Sequence, residues 1–149
     1  MQGHALKNTA VAIAAGIVYY YVVSNLVGTA AAIAAPNWFI PFMQQHQVLG
    51  LVLMSLVTTV PAVALSATLI GYGLARLLDR QYFLLGLLTV CVMVVFSTLN
   101  VNYGRGFWGG LRMNALPPKL YAIPIVLAHW LFLPIATQIF GKRRTLQSQ

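Results

Sequence analysis

Residues 47–76 read QVLGLVLMSLVTTVPAVALSATLIGYGLAR, thirty positions in which Arg76 at the very end is the first charged side chain. A helix needs about 20 apolar residues to cross a hydrocarbon layer of about 30 Å, so this run exceeds what a soluble core requires. Working outward, comparable runs lie at 9–34, 82–100 and 119–140. Backbone polar groups in lipid must be satisfied within the segment itself, which makes each run a helix. Four spans in 149 residues leave little chain for a separate soluble unit. The expected fold is therefore an all-α integral membrane protein: one domain over 1–149, with four transmembrane helices in a bundle.

Composition agrees with this reading. Hydrophobic residues make up 60% of the chain, and Asp79 is the sole acidic side chain against nine Lys and Arg. The net charge of +8 is scattered singly or placed just beyond the spans, which orients a membrane protein and does not build a nucleic-acid groove. No nucleic-acid partner is expected. Lys7 followed by an apolar stretch raises the question of a secretory leader. The apolar part of a leader is about 7 to 15 residues, whereas Thr9 to Ala34 runs on with only Ser24 and Asn25 as interruptions, so it is read as the first span. Cys91 lies alone inside the third run and is read as a small packing residue.

Threading the spans with both termini inside places Lys7, Arg76, Arg80, Lys142, Arg143 and Arg144 on the inner side and Arg105, Arg112 and Lys119 outside. Six against three favours an N-in, C-in orientation. The short loops and Ala- and Leu-rich spans suggest a bacterial inner (cytoplasmic) membrane. Between the first two spans, residues 36–47 read PNWFIPFMQQHQ. Trp38, Phe39 and Phe42 suit the headgroup boundary, giving a short interfacial segment with Gln44, Gln45, His46 and Gln47 toward water. A docking place for a lipid or quinone tail is the alternative reading of this loop.

In the second span, Pro61 removes a backbone donor and predicts a kink, with Thr58 and Thr59 expected to help satisfy the freed carbonyls. Ala67, Gly71 and Ala75 recur every four residues and present a close-packing face, and Ala12 and Gly16 offer a similar notch in the first span. Thr68 to Gly73, TLIGYG, resembles the filter string of potassium channels, but it sits within a continuous apolar helix instead of on a pore loop. No residue is carried over from it.

The third span changes texture after Asn100. Residues 97–118 read STLNVNYGRGFWGGLRMNALPP, with Gly104, Gly106, Gly109 and Gly110 breaking regular structure. Tyr103, Phe107 and Trp108 anchor an outer loop at the membrane surface, and Arg105 and Arg112 could grip an anionic headgroup, substrate or partner protein. The GFWGGL string resembles a Gly-rich break in small four-span fluoride channels, whose hydroxyl-rich continuation is here Arg112, Met113 and Asn114. Small four-span multidrug transporters carry a carboxylate inside the first span, and this chain has no Glu. Neither family is assigned.

Of the intramembrane polar residues, His129 sits near the middle of the fourth span between Pro124 and Pro134, where a polar ring must face the bundle or a partner. A satisfied structural imidazole, a proton relay or pathway lining, and a haem or metal ligand are the roles open to it. His46 and His4 lie at other depths, so a haem or a lipid or quinone contact would require a partner subunit, and no metal site is expected. Asn25 is expected to hydrogen-bond between helices, and Tyr19, Tyr20 and Tyr21 spread over most of a turn and cannot all face one core. Asp79 is expected to pair with Arg76 and Arg80.

Catalysis by this chain alone is not expected, because paired carboxylates, a nucleophile with its base and a metal cluster are all missing from its composition. The expected role is a non-catalytic structural or accessory subunit of a larger membrane complex, in contact with lipids and with other subunits or copies of itself. The alternative is a small homo-oligomeric channel or transporter for a small ion or anionic solute, with His129, Asn25, Thr58 and Thr59 along its path.

Overall fold

A computed structural model describes residues 2–32, 36–101 and 123–147. Among them are the long helices α1 (Gln2–Ala31), α4 (Val60–Leu77), α5 (Tyr82–Val101) and α6 (Ile123–Gln147), with the short α2 (Phe39–Gln45) and α3 (Gln47–Met54) before α4. No strand occurs among the described residues. Helix α3 runs into α4 through a π-helical turn at Ser55–Thr59, so Gln47–Leu77 forms one long span. Among the described residues, four helices are thus long and apolar enough to cross a membrane: His4–Ala30, Gln47–Leu77, Tyr82–Asn100 and Ile123–Leu146.

Helix boundaries depart from the apolar runs at both ends of the chain. Helix α1 begins at Gln2 instead of at residue 9, and α6 continues to Gln147 instead of stopping at 140. Hydrophobicity marks the thickness of the hydrocarbon layer, whereas helical hydrogen bonding continues wherever the backbone tolerates it. His4, Lys7 and the Lys142–Arg144 run are therefore helical.

Helices α1 and α6 each pack against both α4 and α5. Consequently α1 and α6 face one another across the bundle, and α4 and α5, though consecutive in sequence, touch only slightly. The link between α4 and α5 is four residues, Leu78 to Gln81. Gln81 adopts a left-handed φ of 58°, a conformation costing a non-glycine residue about 1–2 kcal/mol, and its carbonyl accepts from Leu85 N–H to start α5.

The core is made by Tyr19, Val63, Ala67, Leu74, Leu78, Val90 and Leu133, all essentially inaccessible. Small residues let the helices approach. A Cβ on Gly71 would lie 2.9 Å from Ala136 Cβ and 3.0 Å from the Thr137 backbone nitrogen, so α4 meets α6 at a spacing that excludes any larger residue. Gly16 similarly lies under Val92 and Thr89 of α5. Thr89 Oγ1 donates to Leu85 O at 2.8 Å and also reaches Ala12 O at 3.2 Å, tying α5 to α1 beside that notch.

One end of the bundle gathers the charge. The amino end of α1 meets the α4–α5 turn, where Asp79 Oδ2 lies 3.3 Å from His4 Nδ1 and 3.7 Å from Lys7 Nζ. The expectation that Asp79 pairs with Arg76 and Arg80 is corrected here: the turn directs its carboxylate toward α1, and the Arg76 guanidinium instead lies 4.6 Å above the Tyr72 ring. The hydrogen bond from His4, aided by the charge of Lys7, holds the Asp79 carboxyl below its ordinary range.

Candidate functional site

Two places in the bundle bring polar chemistry together. The first is its middle, between the facing helices α1 and α6. Of the three consecutive tyrosines, successive residues rotate by about 100°, so only one can point fully inward. Tyr19 is wholly buried, Tyr20 half-buried, and Tyr21 half exposed on the surface beside Phe96. The Tyr19 hydroxyl and His129 Nδ1 lie 3.1 Å apart, with the rings edge-to-face at 5.8 Å. Whichever tautomer His129 holds, one proton links this pair. Two polar groups that would each be costly to leave unpaired in an apolar interior satisfy one another.

Beside this pair, a cavity of about 270 Å³ lies between α1, α5 and α6, with His129, Trp130, Tyr20, Ser24 and Ser97 among its walls. Asn100 Nδ2 donates to Tyr20 Oη at 3.3 Å near its edge. The cavity supplies three hydroxyls, an imidazole and an indole, enough to hold a small polar solute or the edge of a partner side chain. No three His, Cys, Asp or Glu side chains come together among the described residues.

The other intramembrane polar residues stand elsewhere. Asn25 is exposed and its Nδ2 donates to Tyr21 O at 2.8 Å within α1, which corrects the expectation of an interhelical bond: one turn back on its own helix is closer than any neighbouring helix. Thr58 and Thr59 lie in the π-helical turn, and Thr58 Oγ1 donates to Met54 O at 2.7 Å. That carbonyl is not the one facing the missing donor of Pro61, which belongs to Val57 four residues back. Distortion before the proline is absorbed by the wider π turn, whose following residue, Val60, donates to Ser55 O.

Ala67, Gly71 and Ala75 are buried on the α4 face toward α6, and Ala12 and Gly16 are buried on α1 toward α5. In the segment after α1, Phe39 is buried while Trp38 is largely exposed, and Trp38, Phe39 and Phe42 form a ring cluster. Tyr103, Arg105, Phe107, Trp108 and Arg112 lie outside the described residues.

The second polar place is the charged end. Arg144 Nη1 donates to the carbonyls of Arg76 at 2.7 Å, Ala75 at 3.2 Å and Leu78 at 3.4 Å, closing the carboxyl end of α4. The last carbonyls of a helix lack internal partners and carry partial negative charge, so a guanidinium from α6 both caps and pins α4. Sequence reading counted Arg144 only as an inner-side charge. Nothing local in the KRR run signals a bond to residues nearly 70 positions away.

Comparison with protein-family models, curated proteins and solved structures finds no match to this chain.

Proposed function

We propose that this chain is a non-catalytic structural or accessory subunit of a larger membrane complex, inserted N-in and C-in in a bacterial inner membrane. The observation that carries this reading is that the buried hydroxyls of the bundle interior are paired within the chain, with the Asn8 amide oxygen the one buried side-chain polar atom left unpaired among the described residues. The hydroxyls of Ser66, Thr89, Thr98 and Thr137 are buried and each donates to a carbonyl one turn back, at 2.7–2.8 Å, while Tyr19 and His129 close the middle. Hydroxyls turned back onto their own helices fill a core; a conduit needs them aimed into a shared lumen. The exterior supports the same reading, for Tyr21, Phe83, Leu84, Leu127 and Leu131 are all well exposed and available to lipid or to other subunits.

Orientation is supported by the charge count and by the clustering of Lys7, Asp79 and Arg144 at one end, the end proposed to face the cytoplasm. The Gly- and aromatic-rich segment between α5 and α6 is proposed as the main contact with a partner, through Arg105 and Arg112. Replacing both with Ala is expected to remove the partner from the purified particle while membrane insertion, followed by protease protection of the two termini, stays intact. Unchanged partner recovery would refute that contact.

A second reading has one observation in its favour. The cavity of about 270 Å³ beside His129 gives a solute a place to rest, as a small homo-oligomeric channel or transporter would require. Ion or anion flux in liposomes containing only this chain, lost on His129→Leu, would establish that reading in place of the first.

A further inference from the structure

We propose that the groove between α4 and α6 at the charged end is a binding site for the phosphate group of an anionic phospholipid. The groove encloses about 480 Å³ and is lined by Tyr72, Ala75, Arg76, Phe140, Arg143 and Arg144. Three guanidinium-bearing residues on two helices thus surround a single space. Each guanidinium has five donors, and among the described residues only Nη1 of Arg144 is engaged in a hydrogen bond, by the α4 carbonyls.

Charge balance favours an external anion here. The chain contains one acidic side chain, Asp79, and it is held by His4 and Lys7 on the α1 side of the turn. No side-chain carboxylate among the described residues is left for Arg76 or Arg143. Arg76 is positioned by the Tyr72 ring 4.6 Å beneath it, an arrangement that fixes the guanidinium plane without neutralising it. Basic pockets between transmembrane helices on the cytoplasmic side are the recurring receptors for phospholipid head groups.

The groove's other surfaces favour a phosphate that arrives on a lipid over a free one. Tyr72 and Phe140 meet edge-to-face at 5.5 Å and give the space an aromatic wall directly beside the guanidinium groups. Leu69, one turn nearer the membrane interior from Tyr72 on the same side of α4, is exposed and continues an apolar track from the aromatic wall. A head group in the groove would leave its acyl chains along that track. Inorganic phosphate shares the charge and donors but makes no use of the aromatic wall or the track.

The test uses the full-length chain in mild detergent, with native mass spectrometry reading bound phosphatidylglycerol against phosphatidylcholine. Each basic residue near an anionic surface contributes a factor of about five, so the native chain should prefer phosphatidylglycerol by about tenfold or more, and Arg76→Gln with Arg143→Gln should bring the preference below about twofold. Two comparison pairs guard against misfolding and against mere net charge. Arg76→Lys with Arg143→Lys should keep most of the preference, and Arg80→Gln with Lys142→Gln, which removes the same charge outside the groove, should keep it fully. An equal loss in the outside pair, or an undiminished preference in the groove pair, would overturn the site. Added inorganic phosphate at millimolar concentration should leave the lipid bound. Its displacement would assign the guanidinium groups to a soluble phosphate and overturn the lipid.

Discussion

Tyr19 and His129 stand 110 positions apart in the chain and 3.1 Å apart in the bundle, and each removes the other's liability. Deleting one partner leaves a polar group unpaired in an apolar interior, at a cost of about 1–3 kcal/mol. Tyr19→Phe and His129→Phe should each lower thermal stability in detergent, and the double variant should lose less than their sum. A double-mutant cycle should give a coupling of about 0.5–2 kcal/mol, the range of hydrogen bonds between membrane helices. Additive losses would mean that the pair contributes no bond. His129 was legible in the sequence as a polar ring within an apolar run, but its partner was not. Tyr19 carries no mark separating it from Tyr20 and Tyr21, and only the placement of α6 across from α1 selects it. Asn25 and Asp79 misled sequence reading for opposite reasons. The amide found a carbonyl on its own helix, and the carboxylate passed over its sequence neighbours for a helix more than 70 positions away.

At the scale of elements, the helix contacts turn on where a side chain can be afforded space. Gly71 has Ala136 and the Thr137 backbone against it, whereas a Cβ on Gly73, two residues on, meets nothing within 4 Å. Gly71→Ala should therefore force α4 and α6 apart and destabilise by about 1–3 kcal/mol. Gly73→Ala should be neutral or stabilising by up to about 1 kcal/mol through helix propensity alone. Thermal unfolding of the two variants side by side checks this, and equal losses would refute the close approach. The spans were legible because a lipid-crossing helix must be long and apolar. Helix ends were not, because hydrogen bonding outlasts hydrophobicity in α1 and α6. Pro61 announced a distortion, yet its form, a π turn upstream, depends on how the backbone redistributes its bonds. Gly86 showed no periodic pattern, and only packing reveals that a Cβ there would lie 2.8 Å from Pro134 Cα.

Across the whole molecule, one end is fastened by charge. Asp79 joins α1 to the α4–α5 turn, and Arg144 joins α6 to the end of α4. The hydrogen bond from His4 and the charge of Lys7 depress the Asp79 pKa, so the carboxylate's contribution is complete above its ordinary value of about 3.9 and is lost as pH falls through the lower folded value. Amide exchange at residues 5–8 should therefore accelerate in strong acid, modestly because the contact is exposed, and Asp79→Asn should abolish the pH step. A step of the same size in the variant would assign it to another group. How far this charged end, the closed middle and the apolar exterior belong to a part of something larger is decided by what accompanies the chain in its membrane. Extraction of the tagged protein in a mild detergent or polymer, followed by mass analysis of the intact particle and its visible absorption spectrum, asks this directly. An accessory subunit should bring foreign subunits in fixed proportion to this chain, with any pigment belonging to them. A colourless particle built only from copies of this chain, and conducting ions in liposomes, would contradict it.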